Sequence, residues 1–119
     1  MARFVNARPN LLVQDVSASV EFYTDTLGFE AVAVMGEPLF FALLVNEGAE
    51  IALVQTDEPQ ASGCYIYVTG VDELYDDLLS DGAEITNPLT TQPWGNRDFV
   101  IADPDGHQIA LGERMSDAD

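Results

Sequence analysis

Lysine is absent from this 119-residue chain, whose four basic side chains are the arginines Arg3, Arg8, Arg97 and Arg114. Chemistry that needs an ε-amine is therefore excluded, a Walker phosphate loop and a Schiff-base enzyme among it. A single cysteine, Cys64, allows neither a disulfide framework nor a two-thiol metal clip. A single histidine, His107, leaves a transition-metal site short of donors and gives Cys64 no second imidazole to build a base beside it. No Gly-x-Ser-x-Gly elbow occurs, and no stretch approaches the roughly 18 consecutive apolar residues of a membrane span. The chain opens without a charged segment followed by an apolar signal run, so a cytoplasmic location is expected.

What is abundant is acid. Twenty-one Asp and Glu against four basic residues give a formal charge of -17. A surface of that sign repels phosphate backbones and anionic headgroups and gathers cations, so neither nucleic acid nor a membrane is expected as a partner. The charge serves a cationic ligand, or it keeps the chain solvated in a salt-rich cytoplasm. Apolar residues still make up 47%, enough for a folded core, and the length fits one domain spanning residues 1–119.

The chain repeats itself. A short extended run, Asn10 to Val13, leads through the helix-start signals Asp15 and Ser17 into a stretch whose apolar residues Val16, Val20, Tyr23 and Leu27 share one helical face and which stops at Gly28. Phe29 to Met35, Leu39 to Val45 and about Glu50 to Gln55 then read as strands, with turns at Gly36-Glu37-Pro38 and Asn46-Glu47-Gly48. The pattern restarts with a strand from Tyr65 to Val68, a helix from Val71 to Ser80 and a glycine stop at Gly82. "VQDVSASVEFYTDTLGFE" from Val13 parallels "VTGVDELYDDLLSDGAE" from Val68, and "NEGAEIAL" parallels "PDGHQIAL", with Gly48 matching Gly106, Ile51 matching Ile109 and Leu53 matching Leu111. The expected fold class is α+β, with two tandem βαβββ modules, about 8–55 and 63–112. They would form a curved mixed sheet with helices on the outer face and a concave cleft on the other. Duplicated strand-helix patterns also occur in ferredoxin-like folds, but these carry fewer strands after each helix.

Three segments are distinctive: "VQDVSASVEFYTDTLGF" from Val13 to Phe29, "YVTGVDELYDDL" from Tyr67 to Leu78, and "QPWGNRDFVIADPDGHQIAL" from Gln92 to Leu111. Together they resemble the vicinal-oxygen-chelate superfamily of glyoxalases, extradiol dioxygenases and bleomycin-resistance proteins, and the Gln-Pro-Trp-Gly segment with its Arg-x-Phe strand and Asp-Pro-x-Gly turn resembles the last group in particular. The resemblance implies a divalent ion in the enzymes of the superfamily. Its ligand positions would fall here near Arg8, near Ala52, near Gly63 or Cys64, and at Ala110, the repeat partner of Ala52. No metal, no cofactor and no catalytic residue is therefore expected. Asp103 and Asp105 lack the further ligands of a calcium loop and read as a turn. His107 beside them is expected to be a solvent-exposed turn residue, and Cys64 a small buried side chain.

The remaining candidates are aromatic. Tyr65 and Tyr67 alternate onto one face of their strand, and Trp94 lies in a loop where no periodicity demands an indole. Phe40, Phe41 and Phe99 are further ligand-binding candidates, Phe40 and Phe41 facing opposite ways and at least one of them core, Phe99 and Tyr67 with sheet packing as the alternative. The resemblance implies a homodimer that holds a flat, cationic, bleomycin-like drug, in some cases metal-loaded, with Pro9 at an arm exchanged between subunits; an ordinary strand-edge proline would look the same. The expected function is stoichiometric sequestration of such an antibiotic. A metal-dependent enzyme with atypical ligands and a relative that binds an unrelated metabolite are the alternatives.

Overall fold

A computed structural model describes residues 1–115. The element order is β1 (Asn10–Val13), α1 (Val16–Asp25), β2 (Glu30–Gly36), β3 (Leu39–Asn46), β4 (Ala49–Gln55), β5 (Gly63–Tyr67), α2 (Val71–Ser80), β6 (Ile85–Thr91), β7 (Asn96–Ala102) and β8 (Gln108–Arg114). This is the tandem βαβββ arrangement of an α+β fold. The chain divides into two compact units, the first Met1–Gln60 and the second starting at Ala61.

In the first unit the strand order is β1-β4-β3-β2, with β1 parallel to β4 and the other pairs antiparallel. A parallel neighbour needs a crossover, and α1 supplies it. Asp15 caps that helix by accepting from the Ala18 amide at 3.1 Å. Gly28, at φ +73°, ends it; the Phe29 amide turns back to the Tyr23 carbonyl at 3.0 Å. Alternation sends Leu11, Val13, Ala42, Leu44, Ile51 and Leu53 toward Val16 and Tyr23 of the helix, and all are buried. Phe22, Tyr23 and Phe29 meet edge to face.

The second unit repeats the plan with the order β5-β8-β7-β6. Helix α2 starts at Gly70, which has no side chain to cap it. The carboxylate of Glu113 on β8 does so instead, accepting from the Gly70 and Val71 amides at 3.1 and 3.0 Å. Arg97 on β7 ties the same turn down through Asp72 at 2.7 Å. These contacts, with the ring of Tyr75 against Phe99, mark the helix-bearing face of the sheet. By alternation Tyr65, Tyr67, Asp98, Ala110 and Gly112 lie on the other face.

Two expectations are corrected by this packing. Phe99 shares its face with Ile101, Ile109 and Leu111, is fully buried and packs against α2, so it is core and offers no ring to a ligand. His107 is also fully buried: its Nδ1 accepts from the Ser62 amide at 2.9 Å, and its own amide donates to Asp103 Oδ1 at 2.8 Å. Pro104 of the Asp-Pro-Asp-Gly turn is exposed, but Asp103 is buried and the residue after the turn faces inward because the chain entering β5 closes over it.

Candidate functional site

The helix-free face of the second sheet concentrates the polar and aromatic chemistry of the described residues. Tyr65 and Tyr67, two apart on β5, place their ring centroids 5.0 Å apart at a tilt of 52°. Both rings reach solvent, with relative exposures of 39% and 55%. Tyr65 bends over Gly112, which pairs with Tyr67 two residues beyond its own partner Ala110: a Cβ at that glycine would lie 2.6 Å from Tyr65 Cζ and 2.9 Å from Asp98 Cβ. The bare glycine backbone is what lets the ring lie close to the sheet. In the first module the matching position is Val54, so the loss of a side chain inside a repeated strand is the signal that could have revealed this seat.

Asp98 anchors the arrangement. It is only 7% exposed, and its two carboxylate oxygens accept from Tyr65 Oη at 2.7 Å and from Gln92 Nε2 at 2.9 Å. Asn96 Nδ2 donates to the Tyr65 hydroxyl at 3.1 Å. Burial, then the bond to Asp98, pushes the Tyr65 phenol up from its ordinary range. Tyr67 moves the other way: bonding to Asn96 and Arg114 lowers it. The Arg114 guanidinium stands 4.4 Å over the Tyr67 ring centroid, a cation–π pair.

Gln92 also closes the loop that carries the indole. Its amide donates to the Asn96 carbonyl at 2.7 Å and its carbonyl accepts from Gly95 at 3.0 Å, a turn made possible by Gly95 at φ +101°. Trp94 projects from this turn at 70% exposure, a large apolar side chain left in water where nothing in the fold requires it. Tyr65, Tyr67 and Trp94 are thus presented by one unit and joined through Asp98 and Gln92. Phe40 and Phe41 belong to the first unit. Phe40 is exposed and packs over Gly36, while Phe41 is half-buried on the opposite face of β3 beside Val54. Neither is core. Pro9 accepts from the Ala52 amide at 3.0 Å and so extends the ladder of β1 by one bond.

The metal-ligand positions implied by the resemblance do not fit an ion. Ala52 pairs with Asn10 and Ala110 with Tyr65 in the two sheets, and alanine carries no donor atom. Arg8 is exposed ahead of β1, and Gly63 again has no side chain. Cys64 is half-buried, with its thiol pushed up by burial and by the Asp103 carboxylate, which disfavours the thiolate a metal would bind. Among the described residues no three His, Cys, Asp or Glu side chains are grouped to hold a metal, and none of their helices is long and apolar enough to cross a membrane.

The sequence profile of the Glyoxalase/Bleomycin resistance protein/Dioxygenase superfamily matches residues 5–111. The chain belongs to that superfamily. A bleomycin resistance protein from Geobacillus stearothermophilus is 33% identical over 130 residues, covering 90% of this chain and 95% of the relative. Among solved structures, a bleomycin-binding protein from bleomycin-producing Streptomyces verticillus, complexed with copper(II)-bleomycin, superposes with a TM-score of 0.76. It is 27% identical and covers 98% of this chain and 100% of its own. TioX from Micromonospora sp. ML1, at a TM-score of 0.83 and 22% identity over 94% of this chain and 100% of its own, shares the fold.

Proposed function

We propose that this superfamily member is a non-catalytic binding protein that takes up a cationic, ring-bearing antibiotic of the bleomycin type and withholds it from its target. The observation that carries this reading is the trio of solvent-facing rings on the second unit, Tyr65, Tyr67 and Trp94, held in place by hydrogen bonds and a glycine seat. Stacking contributes on the order of 0.5 to 1.5 kcal/mol per ring pair beyond burial, so several rings together reach useful affinity without any bond being made. A formal charge of -17 adds long-range attraction for a cationic ligand. The 33% identical relative is a bleomycin resistance protein, and the 27% identical structure holds copper(II)-bleomycin.

The working form in this reading is a homodimer, with Pro9 at the root of an exchanged arm. Two features support it: Phe4 and Val5 are fully exposed ahead of Pro9, and Val32, Val34 and Met35 of the edge strand β2 are exposed together with Phe40. Phe40 and Phe41 contribute further rings to ligand binding, and the protein acts in the cytoplasm.

The test is a fluorescence titration. Trp94 is the single tryptophan, so its emission reports the site alone. Copper(II)-bleomycin is expected to quench it saturably at micromolar ligand, and an emission that does not respond refutes the reading.

A further inference from the structure

Asp98 is a carboxylate on the ligand-facing side of a strongly acidic protein, yet it is nearly buried and both its oxygens are occupied by neutral donors of the same unit. Little of its surface is left for an arriving cation to touch. Its partners are one of the exposed rings and the residue that closes the turn carrying another. The covalent step from Gln92 to Trp94 is two residues, and the turn's remaining bonds, to Asn96 and from Met115 to Gly95, are all backbone. The Gln92 side chain is therefore a side-chain link between the turn and the tyrosine pair, and Asp98 is the buried group that accepts from both, beside Asn96, whose Nδ2 also donates to the Tyr65 hydroxyl.

We propose that Asp98 is a positioning residue for the ligand site, which clamps the Tyr65 ring and the Trp94 turn in one fixed arrangement and acts through them rather than by drawing the ligand's positive charge. The inference rests on the binding role proposed above for these rings. Its chemistry is that of preorganisation: rings already held in the binding geometry lose little freedom when a flat ligand arrives. Around the Tyr65 hydroxyl the facing polar groups are Asp98, Asn96, Tyr67 and, beyond Tyr67, Arg114.

The neutral amide separates clamping from charge. In Asp98→Asn the amide oxygen still accepts from Tyr65, and Gln92 can turn its own amide to accept from the new Nδ2, so both ties survive while the charge is gone. Asp98→Ala removes both ties. Gln92→Leu cuts the tie to the turn alone and leaves Tyr65 on Asp98, which keeps the question open should Asp98→Ala fail to fold.

Two readouts apply to the full chain: the steady-state fluorescence anisotropy of Trp94 without ligand, and the dissociation constant for copper(II)-bleomycin from its quenching. Asp98→Ala and Gln92→Leu are expected to lower the anisotropy. Asp98→Ala is expected to weaken binding about tenfold, the loss of oriented stacking from the two rings. Asp98→Asn is expected to keep the wild-type anisotropy and bind within about threefold of wild type. Binding by Asp98→Asn as weak as that of Asp98→Ala overturns the proposal, because charge would then be the operative property. Unchanged anisotropy in Asp98→Ala and Gln92→Leu overturns it as well. If the wild-type protein does not bind copper(II)-bleomycin, the proposed function falls, and the anisotropy comparison alone decides whether Asp98 clamps the rings.

Discussion

Replacing Gly112 with alanine tests the seat on which the tyrosine pair rests. The new methyl group would sit 2.6 Å from Tyr65 Cζ and 2.9 Å from Asp98 Cβ, against an ordinary carbon contact of about 3.5 to 4.0 Å. The ring is the movable partner, since its edge is exposed, whereas Asp98 Cβ is fixed to the central strand β7. Tyr65 should swing outward and give up its bond to Asp98. Overpacking costs about 1 to 3 kcal/mol in a core, and an escape route into solvent puts this case near the lower end. The lost hydrogen bond adds about 1 kcal/mol. A destabilisation of about 2 kcal/mol lowers the melting temperature by roughly 6 to 12 °C for a domain of this size. Thermal unfolding followed by circular dichroism measures it, and the copper(II)-bleomycin titration should weaken in parallel. Gly48→Ala is the control: nothing lies within 4 Å of a Cβ there, so it should be neutral or slightly stabilising. If Gly112→Ala melts and binds like the wild type, Tyr65 does not lie over Gly112 and the geometry of the site is wrong.

Other consequences concern the core and the titrating groups. Phe99→Ala should cost about 3 to 5 kcal/mol in urea unfolding while Phe99→Leu retains binding; a leucine variant that is stable but cannot bind would restore a ligand role to this ring. In an alkaline ultraviolet titration Tyr67 should ionise before Tyr65, and Arg114→Gln should move the first step upward; Tyr65→Phe should remove a late step, not an early one. Because the folded state holds on to the Tyr65 proton longer than the unfolded chain does, this group's contribution to stability is present below the ordinary tyrosine range and is lost as pH rises from that range through the raised folded-state value, which pH-dependent unfolding can follow. Cys64 should react with a disulfide reagent at neutral pH much more slowly than free cysteine does, since burial and Asp103 both oppose the thiolate; a fast reaction would contradict its half-buried placement.

The elements with a local signal were legible. Strand Asn10–Val13 and helix Val71–Ser80 lie where periodicity and the glycine stops put them, and β2 to β5 lie within two residues of their expected bounds, while the repeat implied three strands after α2 without bounds for them. Alternation alone put Tyr65 and Tyr67 on a common face, and the lack of any period around Trp94 pointed to its exposure. What escaped depends on residues distant in the chain. His107 reads as a turn residue until Ser62, 45 positions earlier, closes over it. Glu113 reads as a solvated acid, but it caps a helix that begins 42 residues before it. Asp98 likewise looks like one acid among many until pairing brings Tyr65, 33 positions away, onto its oxygen. Phe99 was the one aromatic whose face could have been settled in advance, since its same-face neighbour Ile101 and its cross-strand partner Leu111 match the buried Leu44 and Leu53 of the first module.

The central claim is that the protein holds a drug without changing it. Mixing it with copper(II)-bleomycin to saturation of the Trp94 signal, then denaturing the complex and weighing the released drug by mass spectrometry, tests both halves together. Saturable quenching with every drug molecule recovered at its original mass is the predicted result. Saturable quenching with a modified drug would make the protein an enzyme, and an unresponsive indole would remove the drug from its function altogether.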